Sequence, residues 1–138
     1  MFDTVLIAGL GLMGGSMAKT IKARTLSRVL GWNRTRATAE QALADGSIDA
    51  IATEALYKEA DLVIIGLYPQ ATVDWLLENM RKMKKGCVIV DMVGVKQFMV
   101  DHLEQAALDA GVHYVGGHPM AGREFSGLDY SLPTLSLI

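Results

Sequence analysis

Short apolar runs and longer mixed stretches alternate along the chain, and a turn-forming residue marks most junctions. Residues 4–8 (TVLIA) are apolar at every position after the first, the pattern of a strand covered on both faces. The helical stretch that follows, residues 12–23, gathers Lys19, Lys22 and Arg24 toward its end, where cations suit the helix dipole. Residues 28–32 read as a second strand. Thr35 is placed to cap a helix running to Asp45, with Gly46 as a left-handed stop. Residues 49–53 make a short, weak strand candidate and residues 54–59 a short helical one. Residues 62–67 are the clearest buried strand; Pro69 and Gln70 open a helix to about Met83, and Gly86 follows. A strand at 87–93, a helix at 96–110 stopped by Gly111, and a strand at 112–115 complete the series. This order predicts an α/β fold, a doubly wound parallel sheet with helices on both faces. No repeat, low-complexity tract or linker divides it, so residues 1–138 read as one domain.

Composition narrows the function classes. The chain has 138 residues, 51% of them hydrophobic, and its 13 Lys and Arg against 15 Asp and Glu leave a net charge of −2. That balance argues against binding nucleic acid by bulk electrostatics. No apolar run reaches the ~18 residues of a membrane span, and no basic segment precedes the first one, so the expectation is a cytoplasmic protein with no membrane contact. The single cysteine, Cys87, excludes an intramolecular disulfide and a cysteine-based zinc cluster, and no metal site is expected.

Gly9, Gly11 and Gly14 form G-x-G-x-x-G between the first strand and the first helix, the fingerprint of a Rossmann-type dinucleotide turn. Gly9 permits the tight turn, Gly11 removes a Cβ from the path of a pyrophosphate, and Gly14 lets helix and strand approach closely. Leu12 and Met13 lie at the helix N-terminus, whose free N–H groups and dipole favour phosphate. A glycine turn without a ligand is the competing reading, and the flanking strand and helix weigh against it. NAD-type sites carry an acidic residue about 20 positions on, at the end of the second strand. Here that place holds Asn33, Arg34 and Thr35, and no Asp or Glu occurs between Asp3 and Glu40. Donors without carboxylate repulsion suit a 2′-phosphate, so NADP is expected in preference to NAD. The alternative is that these arginines merely solvate a helix start.

Ligands of open α/β sheets sit outside the carboxyl ends of the strands. Leu67, Tyr68 and Pro69 follow the fourth strand and are expected beside the nicotinamide; Gly94 lies in the segment leaving the fifth. After the sixth, residues 116–124 (GGHPMAGRE) form a loop too rich in Gly and Pro to exist for packing alone. His118 within it is the best general-base candidate, because neutral imidazole near pH 7 can take a hydroxyl proton as hydride leaves; a structural histidine is the alternative. His102 sits in a charged helix and His113 inside a strand. Cys87 reads as a small core residue, and the basic crowding from Arg81 to Lys85 as a helix C-terminal cation cluster rather than a phosphate patch.

The glycine motif, the Gly66 to Pro69 turn, the Asp91 to Lys96 segment and above all Gly117-His118-Pro119-Met120-Ala121-Gly122-Arg123-Glu124 with Ser126-Gly127 resemble the prephenate/arogenate dehydrogenases of tyrosine biosynthesis. The resemblance covers essentially the whole chain, as that family's N-terminal cofactor domain. It implies oxidative decarboxylation of prephenate or arogenate with NAD(P)+: ring C4 gives hydride to the nicotinamide as the ring carboxylate leaves as CO2. His118 matches the family's catalytic histidine, which bonds the ring hydroxyl, and Gly9, Gly11 and Gly14 match its pyrophosphate turn. Many members carry a serine where this chain has Gly94. The family also continues through a last strand into a helical domain that mediates homodimerisation and supplies arginine to the substrate. The sequence here reads as the cofactor domain without those parts, and as an isolated domain is expected to turn over poorly or not at all. Two alternatives stand beside this reading: another NADP-dependent reductase, of the hydroxyacid dehydrogenase or imine reductase type, and a non-catalytic NADP(H)-binding module.

Overall fold

The computed structural model describes residues 2–116. The elements run β1 (Thr4–Ala8), α1 (Leu12–Arg24), β2 (Arg28–Trp32), α2 (Arg36–Ala44), β3 (Ala50–Ile51) and α3 (Glu54–Tyr57). They continue with β4 (Leu62–Ile65), α4 (Pro69–Asn79), a 3-10 turn (Met80–Lys82), β5 (Val88–Asp91), α5 (Gln97–Ala110) and β6 (His113–Val115). The six strands form one sheet in the order β3-β2-β1-β4-β5-β6, and every pairing is parallel. This is the doubly wound Rossmann arrangement, in which the chain reverses its direction of growth between β1 and β4.

Period-two alternation explains why the strands are apolar throughout. Val5, Ile7, Val29, Leu62, Ile64 and Val90 face one side, packing on Met17, Ala18 and Ile21 of α1 and Ala39 and Ala42 of α2. Leu6, Ala8, Leu30, Val63, Ile65 and Ile89 face the other, under Val73 and Leu76 of α4 and Leu103 and Ala107 of α5. A strand with helices on both faces has no polar side to display.

Several boundaries differ from the sequence expectation for local reasons. β3 contains only two residues, and β4 ends at Ile65 because Gly66 and Leu67 turn toward the β1–α1 connection. The helix expected to reach Met83 tightens into the 3-10 turn after Asn79. Thr35 occupies the N-cap position of α2, but its side chain makes no capping hydrogen bond. Gly46 and Gly111 do take the left-handed conformation expected of helix stops, with φ of +82° and +77°. The basic crowding resolves into ion pairs within the protein: Lys84 pairs with Asp61, and Lys82 reaches Glu54 at 2.6 Å. Cys87 is buried, and burial pushes its thiol up to about 12, which suits a core residue and not a nucleophile. His102 and His113 are both exposed. Among the described residues no helix is long and apolar enough to cross a membrane.

Candidate functional site

A parallel sheet places every strand–helix turn at one edge, and the residues expected to bind a cofactor gather there. The β1–α1 turn carries Gly9, Gly11, Leu12, Met13 and Gly14; the β2–α2 turn carries Asn33, Arg34 and Thr35. Leu67, Tyr68 and Pro69 follow β4, and Gly94 follows β5. His118 lies outside the described residues, two positions beyond Gly116 at the end of β6.

The glycines of the first turn are not equivalent. Gly9 has φ +96°, and a Cβ there would meet the Gly66 carbonyl oxygen at 2.7 Å. A Cβ on Gly14 would fall 1.7 Å from the Gly9 carbonyl oxygen. Both are therefore required by the packing of β1, α1 and the β4–α4 turn. Gly11 is different: a Cβ there would meet nothing within 4 Å. Among the described residues no contact demands glycine at this exposed position, whereas close approach of a ligand's pyrophosphate would. Helix α1 begins immediately after it with no side-chain cap and no acidic residue in its first turn. The first i to i−4 bond is donated by Gly15 N–H to the Gly11 carbonyl at 2.7 Å, leaving the earlier N–H groups without helical acceptors. The donor set suits an anion, and the open space over Gly11 admits one.

Neighbouring strand ends hold this turn. Gly9 N–H donates to the Trp32 carbonyl at 2.7 Å, and Leu10 N–H donates to Asn33 Oδ1 at 2.8 Å. Asn33 Nδ2 in turn donates to the Thr35 carbonyl at 3.1 Å. Arg34 and Thr35 are exposed beside it, and among the described residues no carboxylate pairs with Arg34. On the other side Thr72 of α4 donates from its hydroxyl to the Leu67 carbonyl at 3.1 Å, setting the turn that leaves Tyr68 86% exposed. Leu12 and Phe98, at the starts of α1 and α5, are also largely exposed. Among the described residues this edge thus carries exposed apolar side chains as well as unpaired donors.

Sequence reasoning passed over one feature of the site. Asp91, the last residue of β5, is 2% exposed, and its Oδ1 accepts from Val93 N–H at 3.0 Å and Gly94 N–H at 2.9 Å. Its Oδ2 accepts from the Tyr114 hydroxyl at 3.2 Å. Burial, followed by the Asp91 charge, raises the Tyr114 phenol well above its usual range, so it remains a donor. Gly94 has φ +89°, which favours glycine over serine at this position. The signal was an acid closing the otherwise apolar run Val88-Ile89-Val90.

Comparison with known proteins adds an independent line. Residues 17–136 match the family described as prephenate dehydrogenase, nucleotide-binding domain, a segment that begins beyond the glycine turn. Over 132 residues the chain is 39% identical to the prephenate dehydrogenase of Bacillus subtilis, covering 93% of this chain and 35% of that protein. The chain therefore spans about a third of the length of the curated relatives it matches. Among solved structures, the prephenate dehydrogenase of A. aeolicus, in complex with hydroxyphenyl propionate and NAD+, superposes with a TM-score of 0.76 at 26% identity, covering 88% of this chain and 43% of that one. An imine reductase from Myxococcus stipitatus in complex with NADP+ has a TM-score of 0.76 at 22% identity, covering 97% and 52%, a likeness of fold alone. The length of the family match and the identity to the curated relatives lead to one conclusion: the chain belongs to the prephenate dehydrogenase family, as its nucleotide-binding domain.

Proposed function

We propose that this chain binds a nicotinamide dinucleotide across the carboxyl edge of its sheet and serves an enzyme that oxidatively decarboxylates prephenate or arogenate. The observation that carries the binding is Gly11, a glycine with no packing reason at the head of an uncapped helix. Gly11, Leu12, Met13 and Gly14 would face the pyrophosphate at the head of α1 with backbone N–H groups, while Gly9, whose N–H is held by Trp32, would shape the turn around it. Arg34 and Thr35 would take a 2′-phosphate, and the absence of acid at the end of β2 supports NADP over NAD. Leu67, Tyr68, Pro69 and Gly94 would line the nicotinamide end. The bound cofactor supplies the hydride acceptor for the reaction.

The chain's own part in the chemistry is to position and to manage one proton. His118, in the G-H-P-M-A-G string that the family resemblance singles out, would accept the hydrogen bond of the ring hydroxyl and take its proton. Such an enzyme acts on a small molecule and needs neither nucleic acid nor membrane; a homodimer and a cytoplasmic location fit the family reading. The test uses the natural full-length protein with prephenate or arogenate and NADP+. His118→Asn should lower kcat by about 100-fold or more while leaving the cofactor KM within about threefold. An unchanged kcat would reject the catalytic role, and turnover of imines or hydroxyacids instead of either cyclohexadienyl substrate would reject the reaction.

A further inference from the structure

The side chain of Asn33 spans the two segments that would hold opposite ends of the cofactor's adenosine diphosphate portion. Its Oδ1 accepts from Leu10 N–H in the glycine turn and its Nδ2 donates to the Thr35 carbonyl in the β2–α2 turn. The chemistry of the partners fixes the amide's orientation, because the Leu10 N–H only donates and the Thr35 carbonyl only accepts. From this geometry we infer that Asn33 is a positioning residue for the dinucleotide turn and acts on both cofactors alike, not a donor dedicated to the 2′-phosphate. The inference rests on the dinucleotide reading above and gives it a mechanism.

Two consequences follow from the bonding pattern. Engaging Leu10 N–H from behind directs the turn, since that donor is spent on the protein while those at Gly11 and the start of α1 stay free for phosphate. The same pattern also explains the residue type. An aspartate would satisfy Leu10 N–H but would set a carboxylate oxygen against the Thr35 carbonyl, where Asn33 now places its Nδ2 at 3.1 Å. The carbonyl of Thr35 thus selects an amide over the acid that NAD-type turns carry.

The test compares Asn33→Ala and Asn33→Asp with the wild-type chain by calorimetric titration with NAD+ and NADP+, and by amide hydrogen exchange at Leu10 without ligand. N33A should raise both dissociation constants by a common factor of about 10, leaving their ratio unchanged, and should speed Leu10 exchange by a similar factor. N33D keeps the acceptor, so Leu10 protection should persist while NADP+ is weakened more than NAD+. Loss of NADP+ affinity alone in N33A, or unchanged Leu10 exchange in N33A, would overturn the positioning role. Should N33A unfold, loss of Leu10 protection in folded N33D overturns it equally. A wild-type chain that binds neither dinucleotide overturns the underlying reading, and this inference with it.

Discussion

The two edges of the sheet are built from the same strands and are finished in opposite ways. At the amino edge, side chains close the structure. Asp61 Oδ2 accepts from the N–H groups of Asp3 and Thr4 at 3.1 and 3.0 Å while Oδ1 pairs with Lys84, and Asp49 accepts from Val29 N–H at 2.7 Å while pairing with Lys22 at 2.6 Å. Arg28 and Glu59 add a further pair at 2.7 Å. At the carboxyl edge the turns after β1, β2, β4 and β5 form no ion pair among the described residues; the N–H groups of α1 are uncapped, and Leu12, Tyr68 and Phe98 stand exposed. An edge finished by its own side chains is there for stability; one that leaves donors and apolar surface open is prepared for something else. Substitutions at the two edges should therefore separate stability from binding.

The largest effect is expected at Gly14. Gly14→Ala drives a Cβ against the Gly9 carbonyl, and both thermal stability and dinucleotide binding should collapse, the latter by more than about 100-fold. Gly11→Ala should sharpen the contrast: binding falls by about 100-fold while the melting temperature moves by no more than about 2 °C, because its Cβ meets no protein atom. A large drop in melting temperature for G11A would mean that the glycine serves packing. Next is Arg34→Ala, expected to weaken NADP+ by about 10-fold and NAD+ by less than about twofold, as calorimetry would show. At the other edge Asp61→Asn should cost about 1–2 kcal/mol in denaturant unfolding and leave cofactor affinity unchanged.

The smallest effect concerns alkali. Burial pushes the Cys87 thiol up to about 12 from 9.0, and Tyr57 up to about 12 from 10.0. The unfolded chain releases the Cys87 proton above about pH 9 and the Tyr57 proton above about pH 10 while the folded chain keeps both, so stability must fall as pH rises. The slope should be about 1 kcal/mol per pH unit from Cys87 alone, and Cys87→Ala should flatten it. A stability curve flat from pH 8 to pH 10.5 would contradict the burial of that thiol.

Much of this was legible in the sequence because it depends on pattern. Five- and six-residue apolar runs at 4–8 and 62–67 announced strands covered on both faces, and G-x-G-x-x-G located the turn. The sequence also separated acid-free Asn33-Arg34-Thr35 from the acidic ending of an NAD-type strand. Other features depend on contacts between distant residues. The bond from Leu10 to Asn33 crosses 23 positions, as does that between Asp91 and Tyr114, and no periodicity encodes either. Strand ends were overrun for the same reason: Gly66 and Leu67 continue an apolar run, yet close approach to Gly9 turns them out of β4. Gly11 likewise differs from its two neighbours in the motif only in what surrounds it, which three identical letters do not encode.

Mapping backbone-amide chemical shifts during titration of the chain with NADP+ tests the central claim most directly. The account predicts the largest changes at Gly11 to Gly14, at Asn33 to Thr35 and at Leu67 and Tyr68, with none at Asp49 or Asp61, and a smaller dissociation constant than for NAD+. Shifts centred on the amino edge, or no saturable change at the carboxyl edge, would contradict it.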